Sequence, residues 1–259
     1  MAEVKSATRV MRILDLLREY PLGLSISEAG QILDLPKSSV HELLHSMVEN
    51  SYLMQEGKRY RLGVKVFELG QSALQSFEVM QVARPLMKWA GHELNEVVQL
   101  ALLDGKEVVY LSKMQFRKDL NIPSRVGGRM PAHATALGKA ILSTRSDDQV
   151  HAKFSGVKFR PYTPNSLTSI DNLISDLNLA RKNSFAFDNE EYTQGVVCFA
   201  MPFKNVSGQI LGAISITIPS EFKDEINRDR VLAVLEEASS KIAKSLVVSP
   251  VNSHHQSAS

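Results

Sequence analysis

The sequence predicts an α+β chain in two parts: a small helical head ending in a β-hairpin, and a larger body of antiparallel strands packed with helices. Three observations carry this. Helix-period apolar stripes fill the first fifty residues. Strand-like runs joined by Gly-containing turns recur further along. The length, 259 residues, suits two modest domains.

Residues 6–19 place Val10, Ile13, Leu14 and Leu17 on one helical face. Ser25 caps a second helix, with Glu28 three residues on as a capping box requires, and that helix ends near Leu33. A turn at 34–36 puts Pro36 at the first position of a third helix, where its missing N–H costs nothing. In the third helix Val40, Leu43, Leu44, Met47 and Val48 form the apolar stripe, and Ser38, Glu42, His45 and Glu49 point away from it. Two extended stretches follow, 52–55 and 59–62, around Glu56-Gly57-Lys58, where the glycine suits a tight turn. Three helices followed by a hairpin describe a winged helix-turn-helix, expected over residues 1–62.

In that architecture the third helix enters the major groove of DNA by its N-terminal half. The residues expected to face bases are Ser38, Ser39, His41, Glu42 and His45; hydroxyls exchange hydrogen bonds with base edges and a glutamate accepts from cytosine N4. Cations for the phosphates are Lys5, Arg9 and Arg12 on the first helix, Lys37 beside the third, and Lys58, Arg59 and Arg61 in the wing. Against this, residues 1–62 hold eight Lys/Arg and eight Asp/Glu, so the head is formally neutral and a protein-binding winged helix stays open. The whole chain carries a net charge of only +2, so any basic footprint is local.

Residues 63–78 read as a linker helix. Gly63 and Gly70 bracket a helical stretch at 64–69, and Phe67, Leu69, Leu74 and Phe77 are either core or a subunit contact. A second helix is expected over about 78–94, with Ala83, Leu86, Met87, Ala90 and Leu94 on one face and Pro85 marking a kink or a later start. The body, 79–248, pairs 97–103 with 107–113 through Asp104-Gly105, and 196–201 with 210–218 around Ser207-Gly208. Helices are expected near 135–142, 170–182 and 228–246, and 249–259 reads as a disordered polar tail.

Several classes recede. A single cysteine, Cys198, excludes an intramolecular disulfide and an all-cysteine zinc site. No apolar run reaches the ~18 residues of a membrane span, and the N-terminus lacks the apolar core of a secretory signal, so the cytoplasm is the expected compartment. Cys198, His133 and Asp188 are the residue types of a cysteine hydrolase, or with zinc a mixed metal site. Yet no nucleophile motif surrounds Cys198 and a strand lends no helix dipole to its thiol. No catalytic residue, metal or cofactor is expected.

At this point the chain resembles the IclR family of bacterial transcription regulators, over about residues 4–248. The matching stretches are LPKSSVHELLHSMVENSYL and YRLGVKVFELG in the head, and GGRMPAHATALGKAIL, AFDNEEYTQGVVCFAMPF and GQILGAISIT in the body. The resemblance implies an N-terminal winged helix, a dimerising linker helix and a C-terminal GAF-like effector-binding domain. It also implies dimers that pair into tetramers on partly palindromic double-stranded operator DNA. Two positions depart from the common pattern: Glu42 stands where many members carry arginine, and Ser184 where many carry glycine.

Strand alternation points to a ligand pocket in the body. It places Leu211, Ala213, Ser215 and Thr217 on one face and Val196, Cys198 and Ala200 on another; aligned, Cys198, Ser215 and Thr217 form a small polar patch. A helix opening near Ala134 or Thr135 offers free N–H groups that favour an anion, so a small organic acid is the expected effector. In similar proteins the effector touches positions matching Ala136, Leu137, Asp188, Cys198, Ser215 and Thr217, within apolar walls matching Ile122, Met130 and Val196. FELGQSALQ, SRVGGRMPAHATALGK and FDNEE resemble most the members that answer to 2-keto-3-deoxygluconate, a pattern shared in part with aromatic-acid and glyoxylate-responsive members.

Overall fold

The structure, a computed structural model, describes residues 4–76, 78–205 and 208–246. The chain divides into two compact units, Met1–Phe77 and Glu78–Ser259. The expected linker at 63–78 therefore falls almost wholly within the first unit. Leu74, Phe77, Ser207 and the tail lie outside the residues whose side chains are described.

The first unit runs α1 (Lys5–Glu19), α2 (Ile26–Leu33), α3 (Lys37–Glu49), β1 (Leu53–Glu56), β2 (Arg59–Leu62) and α4 (Val64–Ser76). The apolar stripes of the three helices close on Leu53 and Tyr60 of the hairpin, with Ile13, Val40 and Leu44 at 0–1% exposure. Each such side chain contributes about 1.5–3 kcal/mol on leaving water, enough to hold a small unit together. The capping box at Ser25 is present: its hydroxyl accepts from Glu28 N–H and the Glu28 carboxylate accepts from Ser25 N–H at 2.7 Å. Pro36 stands one residue earlier than expected, preceding α3 in extended backbone, ψ 139°. Its ring disfavours the helical region for Leu35 and so ends the turn. Gly70 does not end a helix but lies inside α4.

The second unit runs α5 (Glu78–Leu94), β3 (Val97–Asp104), β4 (Glu107–Gln115), β5 (Arg129–Pro131), α6 (Ala136–Leu142), α7 (Asp147–Phe154), α8 (Ile170–Asn183), β6 (Ala186–Asn189), β7 (Val196–Lys204), β8 (Ile210–Pro219) and α9 (Arg228–Ser245). Its six strands form one antiparallel sheet in the order β5-β4-β3-β8-β7-β6. One face, with Val98, Leu100, Val197, Phe199, Ile214 and Ile216, packs against α5 and α9. The other packs Ala101, Ala200 and Ala213 against α6 and α8. Pro85 does not delay α5 but lies inside it. It and Gln81, whose carbonyl loses its helical donor, are both exposed, so water takes that bond. Leu211 departs from the expected alternation. The β7–β8 register slips between Phe203 and Lys204, leaving Leu211 as the extra residue of a bulge, and it packs on the α5/α9 face instead.

Candidate functional site

The register of the central strands builds a polar lining into the α6 side of the sheet. Cys198 pairs with Thr217 and Ala200 with Ser215 across β7–β8; Gln99 pairs with Ser215 across β3–β8. Because side chains alternate, these residues share one face. A pocket opens there. All nine residues expected at the effector stand in its lining: Ile122, Met130, Ala136, Leu137, Asp188, Val196, Cys198, Ser215 and Thr217. It is also lined by Thr135, expected as the opening of the helix above it, and by Gln99, Tyr110, Ser124 and Tyr192, which the sequence reading missed. Gln99 had left a signal, a lone amide in the apolar run VVQLAL.

A hydrogen-bond chain crosses the floor. The Cys198 thiol lies 3.3 Å from Thr217 Oγ1, the Thr217 hydroxyl donates to Gln99 Oε1 at 3.0 Å, and Gln99 Nε2 donates to Ser124 Oγ. With the Thr217 proton given to Gln99, the thiol is the donor in the first contact. Ser215 is different. It is 1% exposed and its hydroxyl has no partner among the described residues. A buried hydroxyl left unpaired costs about 1–3 kcal/mol, which a ligand atom would recover.

Over this floor sits the start of α6. Thr135 caps it, accepting from Gly138 N–H at 3.2 Å, and Ala136 and Leu137 form its first turn. The helix begins one residue later than expected because 132–134 form a separate 3-10 turn. Gly138 permits this: a Cβ there would stand 2.1 Å from the Ala132 carbonyl oxygen.

Asp188 closes the opposite side, on β6, its Oδ1 accepting from Glu191 N–H at 2.8 Å. Behind it lies Lys139, 0% exposed, whose ammonium donates to Glu191 Oε1 at 2.6 Å and the Phe187 carbonyl at 2.5 Å and forms an ion pair with Asp176 Oδ2 at 2.9 Å. Burial by itself would lower the Lys139 pKa, but Glu191, Asp176 and Asp188 together hold it above the ordinary lysine value. Burial and the Glu191 charge push Asp188 up to about 7. Burial also raises the Cys198 thiol, the opposite of what a nucleophile needs. His133 is not part of this site. It sits edge-on to Phe154 and Phe159, its pKa lowered by burial. Among the described residues no three His, Cys, Asp or Glu side chains stand together as metal ligands.

In the head, Lys37, Ser38, His41, Glu42, His45, Lys58 and Arg59 are exposed, while Arg9 and Ser39 are half-buried. The wing arginines are less free than expected: Arg59 donates to the Gly23 carbonyl at 2.6 Å and lies 3.5 Å from Glu28, and Arg61 pairs with Glu56. Among the described residues Lys5, Arg9, Lys37 and Lys58 have no ion-pair partner. Of the head's described glutamates, Glu19, Glu28 and Glu56 each pair with an arginine, Glu49 lies 3.6 Å from the His45 imidazole, and Glu42 has no ion-pair partner.

Comparison with known proteins accounts for both units. The IclR helix-turn-helix domain matches residues 6–57, and the bacterial transcriptional regulator IclR C-terminal domain matches residues 71–244. The chain is 30% identical over 248 residues to the HTH-type transcriptional regulator XynR of Escherichia coli K12, covering 95% of this chain and 98% of XynR. It is 32% identical over 242 residues to the HTH-type transcriptional regulator KdgR of the same organism, covering 93% and 92%. Among solved structures, an IclR homologue from Microbacterium hydrocarbonoxydans, complexed with 4-hydroxybenzoate, superposes with a TM-score of 0.83 at 24% identity, covering 93% and 98%. With a winged helix-turn-helix head, a GAF-like antiparallel body and matches that span both, the chain belongs to the IclR family of bacterial DNA-binding transcription regulators.

Proposed function

We propose that the regulator binds operator DNA through α3 and the wing, and that a small organic acid lodged in the body sets how firmly. The observation that carries the second half is the buried, unpartnered Ser215 hydroxyl in a cavity that also presents Thr217, Cys198 and the start of α6. A keto or sugar acid such as 2-keto-3-deoxygluconate is the effector favoured by the stretches FELGQSALQ and FDNEE. An aromatic acid is the second reading, favoured because the same fold holds 4-hydroxybenzoate in the Microbacterium protein; glyoxylate or pyruvate is a third.

The active species is a homodimer that pairs into a tetramer, acting in the cytoplasm as a repressor, the commoner habit of the family. Support for the dimer comes from α4, where Val64, Phe67 and Leu69 are 59%, 65% and 49% exposed. Three apolar side chains on one helix favour a partner over water. Two heads then read two half-sites. The acid acts by its differential affinity for two arrangements of the linker helices, and a coupling of ~1–3 kcal/mol changes operator affinity roughly 5–150-fold.

A thermal-shift screen of the full chain against sugar, keto and aromatic acids tests the pocket, since a ligand selective for the folded state raises Tm. A gel shift on the intergenic DNA upstream of its own coding sequence tests the head. Retardation that weakens with the best acid is expected. A Tm rise with at least one acid, together with retardation that survives competitor DNA and weakens with that acid, would support the reading; a chain that ignores every acid, or that binds all DNA alike, would refute it.

A further inference from the structure

The cavity is built against simple ion pairing. None of the sixteen described residues that line it is Lys, Arg or His, and Asp188 supplies its one carboxylate. The titratable groups around Asp188 are Lys139 from α6, Asp176 from α8, Glu191 and Tyr192 from the loop after β6, Cys198 from β7 and Tyr110 from β4. Lys139 is already committed to Glu191, Asp176 and a carbonyl. The Lys113 ammonium is turned onto the carbonyls of Ile122 and Ser124, at 3.4 and 3.0 Å. One buried cation thus serves three carboxylates, and Glu191 Oε2 is left with no hydrogen-bond partner.

An acid entering here would bring a fourth negative charge. If its carboxylate comes within about 4 Å of Asp188 in this partly buried site, the two repel by an amount that costs roughly a thousandfold in affinity. Asp188 is 6% exposed, so water does little to relieve this. The remedy is the one used wherever two buried carboxyls meet: one of them holds a proton.

We propose that an organic acid enters this cavity together with one proton, taken from solvent by Asp188, so that its carboxylate meets a neutral carboxyl that donates a hydrogen bond. The Oδ1 atom keeps its bond from Glu191 N–H; the proton sits on Oδ2 and points to the ligand. The free protein is poised for this, since burial and Glu191 already push Asp188 up to about 7. The inference rests on the acid-effector reading and adds that affinity is linked to pH: the acid binds tightly below neutrality and weakens as the proton becomes harder to supply.

Isothermal titration of the full chain with pyruvate, 4-hydroxybenzoate and 2-keto-3-deoxygluconate, in phosphate and in Tris over about pH 6–9, tests it. For whichever acid binds best, Kd should rise about tenfold per pH unit above 7, and at about pH 8 and above the heats in the two buffers should differ by close to the difference in their heats of ionisation for one proton. Asp188→Asn, which keeps an acceptor for Glu191 N–H, should bind with a flat pH profile and buffer-independent heats. A wild-type Kd that is flat with pH, equal heats in both buffers at about pH 8 and above, or an Asn variant that keeps the slope each overturn proton uptake while leaving acid binding intact. If none of the three acids binds at any pH, acid binding itself falls, and the proton with it. Should the variant not fold, the two-buffer comparison on the wild-type chain decides alone.

Discussion

Replacing Lys139 with methionine keeps most of the apolar stem and removes the ammonium, its charge together with its hydrogen bonds to Glu191 and the Phe187 carbonyl, which makes it a direct probe of the buried cluster. Lys139 is 0% exposed; of its two acidic partners Glu191 is 6% exposed and Asp176 28%. Asp176 can turn to water, so its loss is small. Glu191 cannot, and its Oε2 already lacks a partner. Counting one broken buried pair, the variant should lose about 3–5 kcal/mol. For a unit of this size that lowers Tm by roughly 6–20 °C. The sign of the pH dependence follows from Glu191, whose pKa is raised chiefly by burial, with Lys139 opposing. Without Lys139 it rises further. A raised carboxyl binds more protons folded than unfolded, so the variant gains stability as pH falls toward the ordinary glutamate value. Urea unfolding followed by circular dichroism at about pH 5 and pH 8 measures both effects. The expected gap from wild type is widest at pH 8 and shrinks at pH 5; adding Glu191→Gln should restore at least half of it. A gap under about 1 kcal/mol at pH 8, or one that does not shrink, would refute the account of a paired buried charge.

Ser215→Ala removes the unpartnered hydroxyl, so it should leave or slightly raise stability, by under about 1 kcal/mol, and weaken the acid's effect on operator binding while sparing binding without acid; loss of ligand-free operator binding in a gel shift would mark the residue as structural. Glu42, with no cation partner on the surface offered to DNA, should read a cytosine amine, and Glu42→Gln should erase preference at one symmetric base pair worth about 1–3 kcal/mol; selection from a randomised operator that yields an unchanged consensus would exclude this. Ser184 ends α8 with φ 63°, a conformation that glycine adopts freely, so Ser184→Gly should stabilise the chain by about 1 kcal/mol in thermal unfolding; a lower Tm would show that the serine side chain contributes more than the backbone strain costs.

The local physics of this chain is written in its residues. Stripes at helical spacing, the Ser25/Glu28 box and the turn glycines at 57 and 105 each act within a few positions, so α1 to α3, both hairpins and the long helices of the body were legible; strand alternation marked Val196, Cys198, Ser215 and Thr217, and the family resemblance implied the other five residues that line the cavity. The short element α7 was missed although Ser146 and Gln149 form a capping box, because only Val150 and Phe154 mark its buried face. What no local pattern could decide is what long-range register and packing impose. A one-residue slip in β8 turns Leu211 to the other face of the sheet. Gln99 joins the site only because β3 lies beside β8, more than a hundred residues away. Lys139 reads as an ordinary surface lysine on a seven-residue helix until α8 and the loop after β6 close over it with two carboxylates. Charge burial is a property of what surrounds a residue in space, and that is settled only when distant segments meet.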